Sequence, residues 1–181
     1  MTVGHGTLDA PPFAELVRGA AVDLVVDVRS YPGSRRVPHF GRAVLEERLP
    51  AAGVAYRWEP RLGGRRRSVP GSRHVALTQA GFRAYADHLE TEDFQLGLAD
   101  LLEDAATSRV AVMCSESVWW RCHRRLIADD LVLVHGARVE HLFHDARLQP
   151  HVPMPAARLE GRGLVYDVGE PAASAGQASL W

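Results

Sequence analysis

The sequence predicts an α/β fold: one three-layer domain with a mostly parallel sheet flanked by helices, followed by a flexible C-terminal tail. Three observations carry that prediction. Short apolar runs alternate with longer stretches of helical period, the pattern of parallel strands joined by crossover helices. The runs Asp23 to Arg29 (DLVVDVR) and Arg109 to Cys114 (RVAVMC) are apolar enough to be buried on both faces, as central parallel strands are. After residue 146 the pattern decays into Pro, Ala, Gly and Ser and ends GEPAASAGQASLW. The expected division is therefore a domain over 1–146 and a tail over 147–181.

Taken in order, Thr2 to His5 reads as a short first strand. Leu8 to Gly19 carries Leu8, Phe13, Leu16 and Val17 at helical spacing, with Asp9 near its start and Gly19 at its end. After the strand at 23–29, Arg42 to Ala52 suits a helix that Pro50 should cut short, because proline has no N–H for the backbone ladder. Val54 to Trp58 is a third strand. Residues 60–76 (PRLGGRRRSVPGSRHVA) read as a long irregular loop, and loops of that length in compact domains are usually functional or disordered. Thr78 to Leu89 and Phe94 to Ala106 form a helical pair, the strand at 109–114 follows, Cys122 to His135 reads as a helix, and Arg138 to Phe143 as the last strand.

The chain has 181 residues, 46% hydrophobic and 24% charged, ordinary for one globular core. It contains no long apolar run of membrane-spanning length, and MTVGHGTLDA lacks the basic and apolar regions of a signal peptide, so a cytoplasmic protein without a membrane association is expected. Two cysteines, Cys114 and Cys122, make a disulfide scaffold an unsuitable reading and leave reduced thiols as the default. All 21 basic residues are arginine. A GC-rich genome accounts for that count, but the distribution is more telling. Arg35, Arg36, Arg61, Arg65 to Arg67 and Arg73 fall in a segment whose only acids are Glu46, Glu47 and Glu59. A basic face for nucleic-acid or nucleotide phosphate is one reading of this stretch, and a solvated loop is the other.

Ligands of open parallel sheets bind beyond the carboxyl ends of the strands. Here the first strand ends at His5, the second at Asp27-Val28-Arg29, and the fourth at Cys114, followed by Ser115, Glu116 and a turn into Arg121-Cys122-His123-Arg124. His5, Asp27, Cys114, Glu116 and His123 are accordingly the catalytic candidates, supplying acids, imidazoles and a thiol. Cys114 invites comparison with thiol phosphatases and sulfurtransferases, in which a cysteine after a strand is activated by a helix N-terminus. Six residues separate it from Arg121, one more than the phosphatase loop needs, and Glu116 opposes a phosphate there. Asp27 and Glu116 read alternatively as paired carboxylates, one raised in pKa by a wall of Trp119 and Trp120, which would also stack a base or sugar. A metal held by Cys114, Cys122 and His123 with a fourth ligand such as His5 is a further reading. No metal is assigned, because the spacing matches no standard zinc motif and the adjacent Cys122 and His123 diverge by about 100° on a helix.

The runs TVGHGT, DLVVDVRSYPGSRRVPHF, LGGRR at residues 62–66 and VAVMCSESVWWRCHRRLIADDL resemble, in order and spacing, the bacterial and archaeal proteins grouped as domain of unknown function 488, over roughly residues 2–143. The resemblance implies an α/β fold and motif positions His5, Asp27, Arg29, Ser30, Pro32, Ser34, Gly63, Gly64, Cys114, Glu116, Cys122, His123 and Arg124. It brings no established reaction, and the cofactor is left unknown. Two departures stand out: a histidine-serine-threonine start reads His5-Gly6-Thr7 here, and Trp119 stands where many relatives carry proline. Ser30 or Thr7 would then supply the missing hydroxyl. The expected substrate-binding set is Arg29, Ser30, Gly63, Gly64, Trp119, Trp120, Cys122 and Arg124.

The last five residues, Gln177-Ala178-Ser179-Leu180-Trp181, resemble the short peptide by which bacterial repair and replication proteins dock on the sliding clamp. Gln177 and Ser179 would anchor it, with Leu180 and Trp181 filling an apolar pocket and the linker giving reach. Together these features predict an enzyme or accessory factor of DNA repair or nucleotide metabolism. A non-catalytic nucleic-acid-binding module and a thiol-dependent transferase using Cys114 are the alternatives.

Overall fold

A computed structural model describes residues 1–33 and 37–168. Ser34, Arg35, Arg36 and the peptide 177–181 lie outside the described residues. Six strands form one sheet in the order β3-β2-β4-β1-β5-β6, where β1 is Thr2–Gly4, β2 Leu24–Asp27, β3 Ala55–Trp58, β4 Val110–Cys114, β5 Glu140–Leu142 and β6 Leu148–Pro150. The first five are parallel to their neighbours and β6 runs antiparallel at the edge. The expected α/β fold with a mostly parallel, helix-flanked sheet is thus the fold observed.

The strand sequences bury both faces because each side of the sheet has its own helical layer. Val110, Val112 and Cys114 of β4 point into a core with Tyr85, Leu98 and Leu126, while Ala111 and Met113 point into a second core with Phe13, Val17, Leu45 and Leu49. Helices α1 (Ala10–Gly19) and α2 (Arg42–Ala51) cover the latter face, and α3 (Ala80–Leu89), α4 (Glu92–Thr107) and α5 (Arg124–Leu133) the former. Local chemistry sets their starts. Pro11 and Pro12 sit in the first turn of α1, where a missing N–H is harmless. Thr91 caps α4 by accepting from the Phe94 amide at 3.2 Å, with Glu92 and Asp93 in the favourable first turn. Pro50 does not end α2, which runs through it to Ala51, since a proline near the last turn disturbs little of the remaining ladder.

Strands β1 and β2 lead into α1 and α2 on one face, whereas β4, lying between them, leads into α5 on the other. Connections that leave toward opposite faces open a crevice at the strand ends. His5 and Ser115 follow directly on the ends of β1 and β4, and Arg29 lies two residues beyond β2.

The domain does not stop at residue 146. Beyond it lie β6 and a separate antiparallel hairpin of β7 (Ala157–Glu160) and β8 (Gly163–Tyr166). Leu164 and Tyr166 of β8 are buried in the same core as α3 and α5, so this stretch completes the helical layer and belongs to the folded domain rather than to a tail. Its strands are short and separated by proline and glycine, which made them read as linker.

Candidate functional site

The crevice is a cleft of about 690 Å³ whose lining includes His5, Arg29, Ser30, Gly64, Cys114, Glu116, Cys122 and His123. Eight of the sequence-selected residues therefore share one wall of space. Tyr31, Arg65, Gln79, Phe82 and Arg121 line it as well and were not selected. Tyr31 and Arg65 adjoin the motif residues Ser30 and Gly64, a signal that was available. Gln79 and Phe82 come from the start of α3, and nothing in their sequence marks them.

Asp27 does not line this cleft. It is fully buried and accepts from Arg29 Nε at 2.8 Å, Arg29 Nη2 at 2.5 Å, the Arg29 amide at 3.1 Å and the Tyr56 hydroxyl at 2.8 Å. Its carboxylate is thereby committed to holding the guanidinium. Arg29 in turn donates to the Phe40 carbonyl and reaches His5 Nε2 at 3.4 Å, so a fixed cation is set at the cleft floor. The paired-carboxylate reading of Asp27 and Glu116 is corrected on this ground: one is a buried anchor, the other an exposed cleft residue.

His5 is a positioning group rather than a proton donor near neutral pH. Burial, reinforced by the adjacent Arg29 cation, lowers its pKa to about 4. Its ring stacks on Phe40 with centroids 4.1 Å apart, and Nδ1 donates to the Gly6 carbonyl at 3.0 Å. That leaves Nε2 as the acceptor facing Arg29.

Trp119 and Trp120 do not wall the site. Trp119 stacks on His141 at 4.0 Å, away from the cleft, and Trp120 meets Trp119 edge-on. Their adjacent positions in a short 3-10 turn (Trp119–Arg121) project them toward β5 instead. Aromatic lining comes from Tyr31 and Phe82. Arg124 is also behind the cleft, buried, donating to the Glu116 carbonyl and from Nε to Cys122 Sγ at 3.3 Å.

The two glycines of LGGRR allow the 60–76 loop to lie against the strand ends. A Cβ on Gly63 would stand 2.4 Å from Ser30 Oγ, and one on Gly64 would stand 2.3 Å from His123 Nδ1, 2.7 Å from Cγ and 2.9 Å from Cε1. The last three distances place that atom over the imidazole face rather than in its plane. Ser30 Oγ accepts from the Arg65 amide at 3.2 Å, closing the loop onto β2.

At the back of the cleft, Cys114, Cys122 and His123 meet. Cys122 Sγ lies 3.6 Å and Cys114 Sγ 3.9 Å from His123 Nδ1, and the three ligating atoms fall within 4.8 Å of one another. The expected divergence of Cys122 and His123 does not occur because α5 starts only at Arg124. Cys122 is extended (φ −123°, ψ 149°) and His123 is the residue preceding the helix, so the backbone turn between them brings both side chains to one place. The two thiols are coupled: their mutual contact and burial push Cys114 up, whereas that contact and the Arg124 guanidinium favour the thiolate at Cys122.

Three of the five arginines in the 60–76 loop are ion-paired. Arg61 pairs with Glu59 and Asp100, Arg66 lies 3.8 Å from Asp93, and Arg73 pairs with Glu90 and Glu160. Glu59 is a local partner, but Asp93 and Asp100 of α4, Glu90 at the end of α3 and Glu160 of β7 are distant in sequence. Among the described residues Arg65 and Arg121 make no ion pair, and both line the cleft. No helix is long and apolar enough to span a membrane among the described residues.

Fold and cleft together define an α/β domain with a strand-end pocket that is cationic at its rim and carries two thiols and an imidazole at its back. The family model "Domain of unknown function DUF488" matches residues 10–131, more than half of the chain, and the protein belongs to that family. No curated protein and no solved structure matches the chain.

Proposed function

We propose that the protein is an enzyme of nucleotide or DNA metabolism that binds a phosphate-bearing substrate in the strand-end cleft. The observation that carries this reading is the convergence on one cleft of three guanidinium groups, Arg29, Arg65 and Arg121, beside the Cys114/Cys122/His123 cluster. Arg29 is locked by Asp27, while Arg65 and Arg121 have unspent charge for an anion. Tyr31 and Phe82 offer flat apolar surface on which a base stacks. A carboxylate at the mouth, Glu116, disfavours a polyanion such as a triphosphate relative to a single phosphate group.

The ion pairing of Arg61, Arg66 and Arg73 weighs against the alternative of a non-catalytic module gripping nucleic-acid backbone along that stretch. Within the favoured reading, Gln177 to Trp181 serves as a tether to the sliding clamp, a role supported by its sequence alone.

Calorimetric titration with nucleoside 5′-monophosphates tests the proposal. Arg65→Ala and Arg121→Ala should each weaken binding about 10- to 100-fold, the worth of one charge-assisted hydrogen bond. Wild-type affinity in both variants, or no binding by any nucleotide, overturns it.

A further inference from the structure

We propose that Cys114, Cys122 and His123 form a zinc site with three protein ligands and a fourth coordination position facing the cleft. Zinc takes thiolate at about 2.3 Å and imidazole nitrogen at about 2.0–2.1 Å in tetrahedral array, which requires sulfur and nitrogen about 3.5–3.6 Å apart. The distances from His123 Nδ1 to Cys122 Sγ and Cys114 Sγ, 3.6 and 3.9 Å, meet that requirement with a closure of a few tenths of an ångström.

Three further observations support the site. All three residues are at least nine-tenths buried, at 7%, 4% and 9% exposure, yet all line the cleft, so the ion would be enclosed on the protein side and open on the other. Gly64 packs on the face of the His123 ring, leaving the in-plane lone pair of Nδ1 free for a ligand bond, and any larger residue there would push the ring off the sulfurs. Arg124 Nε donates to Cys122 Sγ, an outer contact that suits a metal-bound thiolate. Charge decides the matter further: two thiolates and one divalent cation cancel, whereas two buried thiolates alone do not. Soft sulfur with imidazole selects zinc over magnesium or calcium. His123 Nε2 has no partner among the described residues, so the roughly 10- to 100-fold affinity that an outer acceptor supplies is absent.

Water at the fourth position would be acidified by the ion, giving hydroxide beside the cleft at neutral pH. The ion binds whether or not the cleft accepts a nucleotide, so its test stands apart from the substrate titration.

Elemental analysis of the full-length protein should find one zinc per chain. Chelator-treated protein titrated with cobalt(II) should develop thiolate-to-cobalt charge-transfer absorption that saturates at one equivalent and is abolished by added zinc. Cys122→Ser should lose that absorption. Folded, chelator-treated wild type, checked by circular dichroism, that shows no such absorption overturns the proposal without reliance on any variant. So does rapid alkylation of Cys122 at pH 7 that zinc leaves unchanged, an outcome that points to thiol-transfer chemistry instead.

Discussion

Two histidine clusters sit on opposite sides of β1, and they are built on different plans. On the β5 side, Thr2 Oγ1 meets His141 Nδ1 at 2.7 Å, His141 Nε2 meets His151 Nδ1 at 2.9 Å, and His151 Nε2 meets Asp129 Oδ1 at 2.8 Å. Asp129 also accepts from the Met154 amide at 3.0 Å and the Tyr166 hydroxyl at 3.1 Å. Because a carboxylate only accepts, it sets both imidazole tautomers in turn, and every polar atom in the chain has a partner. On the β4 side, Cys114, Cys122 and His123 have only long contacts with one another, an unpartnered His123 Nε2, and an open face on the cleft. A closed network joins β1, β5, α5 and β8 into one body. An open one leaves coordination capacity unused, and that difference supports the proposal that it is the functional cluster.

The largest expected effect is in the closed network. Asp129→Ala should cost about 3–5 kcal/mol of stability, measured by urea denaturation, because it leaves three buried donors without an acceptor. A loss below about 1 kcal/mol would break the comparison. Next comes Gly64→Ala, whose methyl collides with His123. It should cost about 1–3 kcal/mol by overpacking and disable the cleft at the same time, as ligand titration would show.

The pH dependence is expected to be of similar size for each group. Burial lowers His5 to about 4 and His141 to about 3, so between the ordinary histidine pKa and those values the unfolded chain binds more protons than the folded one. Stability is then complete above about pH 6.5 and declines as the pH falls toward 4, by on the order of 1–3 kcal/mol per group. His5→Gln should flatten part of that slope in melts recorded across pH, and an unchanged slope would show that His5 titrates normally. The smallest effect belongs to Glu116→Gln, which should leave stability within about 0.5 kcal/mol. It should strengthen anion binding by removing a negative charge from the cleft mouth.

Much of the architecture was legible because buried parallel strands such as 24–27 and 110–114 are nearly pure apolar runs and the helices between them keep their period. The end of the domain was not, since β7 and β8 are four residues each, β7 is mostly exposed, and only β8 packs against α3 and α5. At the site, motif residues at strand ends identified the right neighbourhood. Roles depend on side-chain direction, which spacing does not carry. Asp27 and Arg124 turned out to hold other site residues from behind, Trp119 packed on His141, and a single extended residue before α5 joined Cys122 to His123.

The most direct test of the central claim is amide shift mapping by NMR during titration with a nucleoside monophosphate. The account predicts saturable shifts at Ser30, Gly64, Arg65, Ser115 and Glu116, with His151 and Met154 of the closed network unmoved. Shifts confined to the region around Trp120 and Phe143, or none in the cleft at saturation, would contradict it.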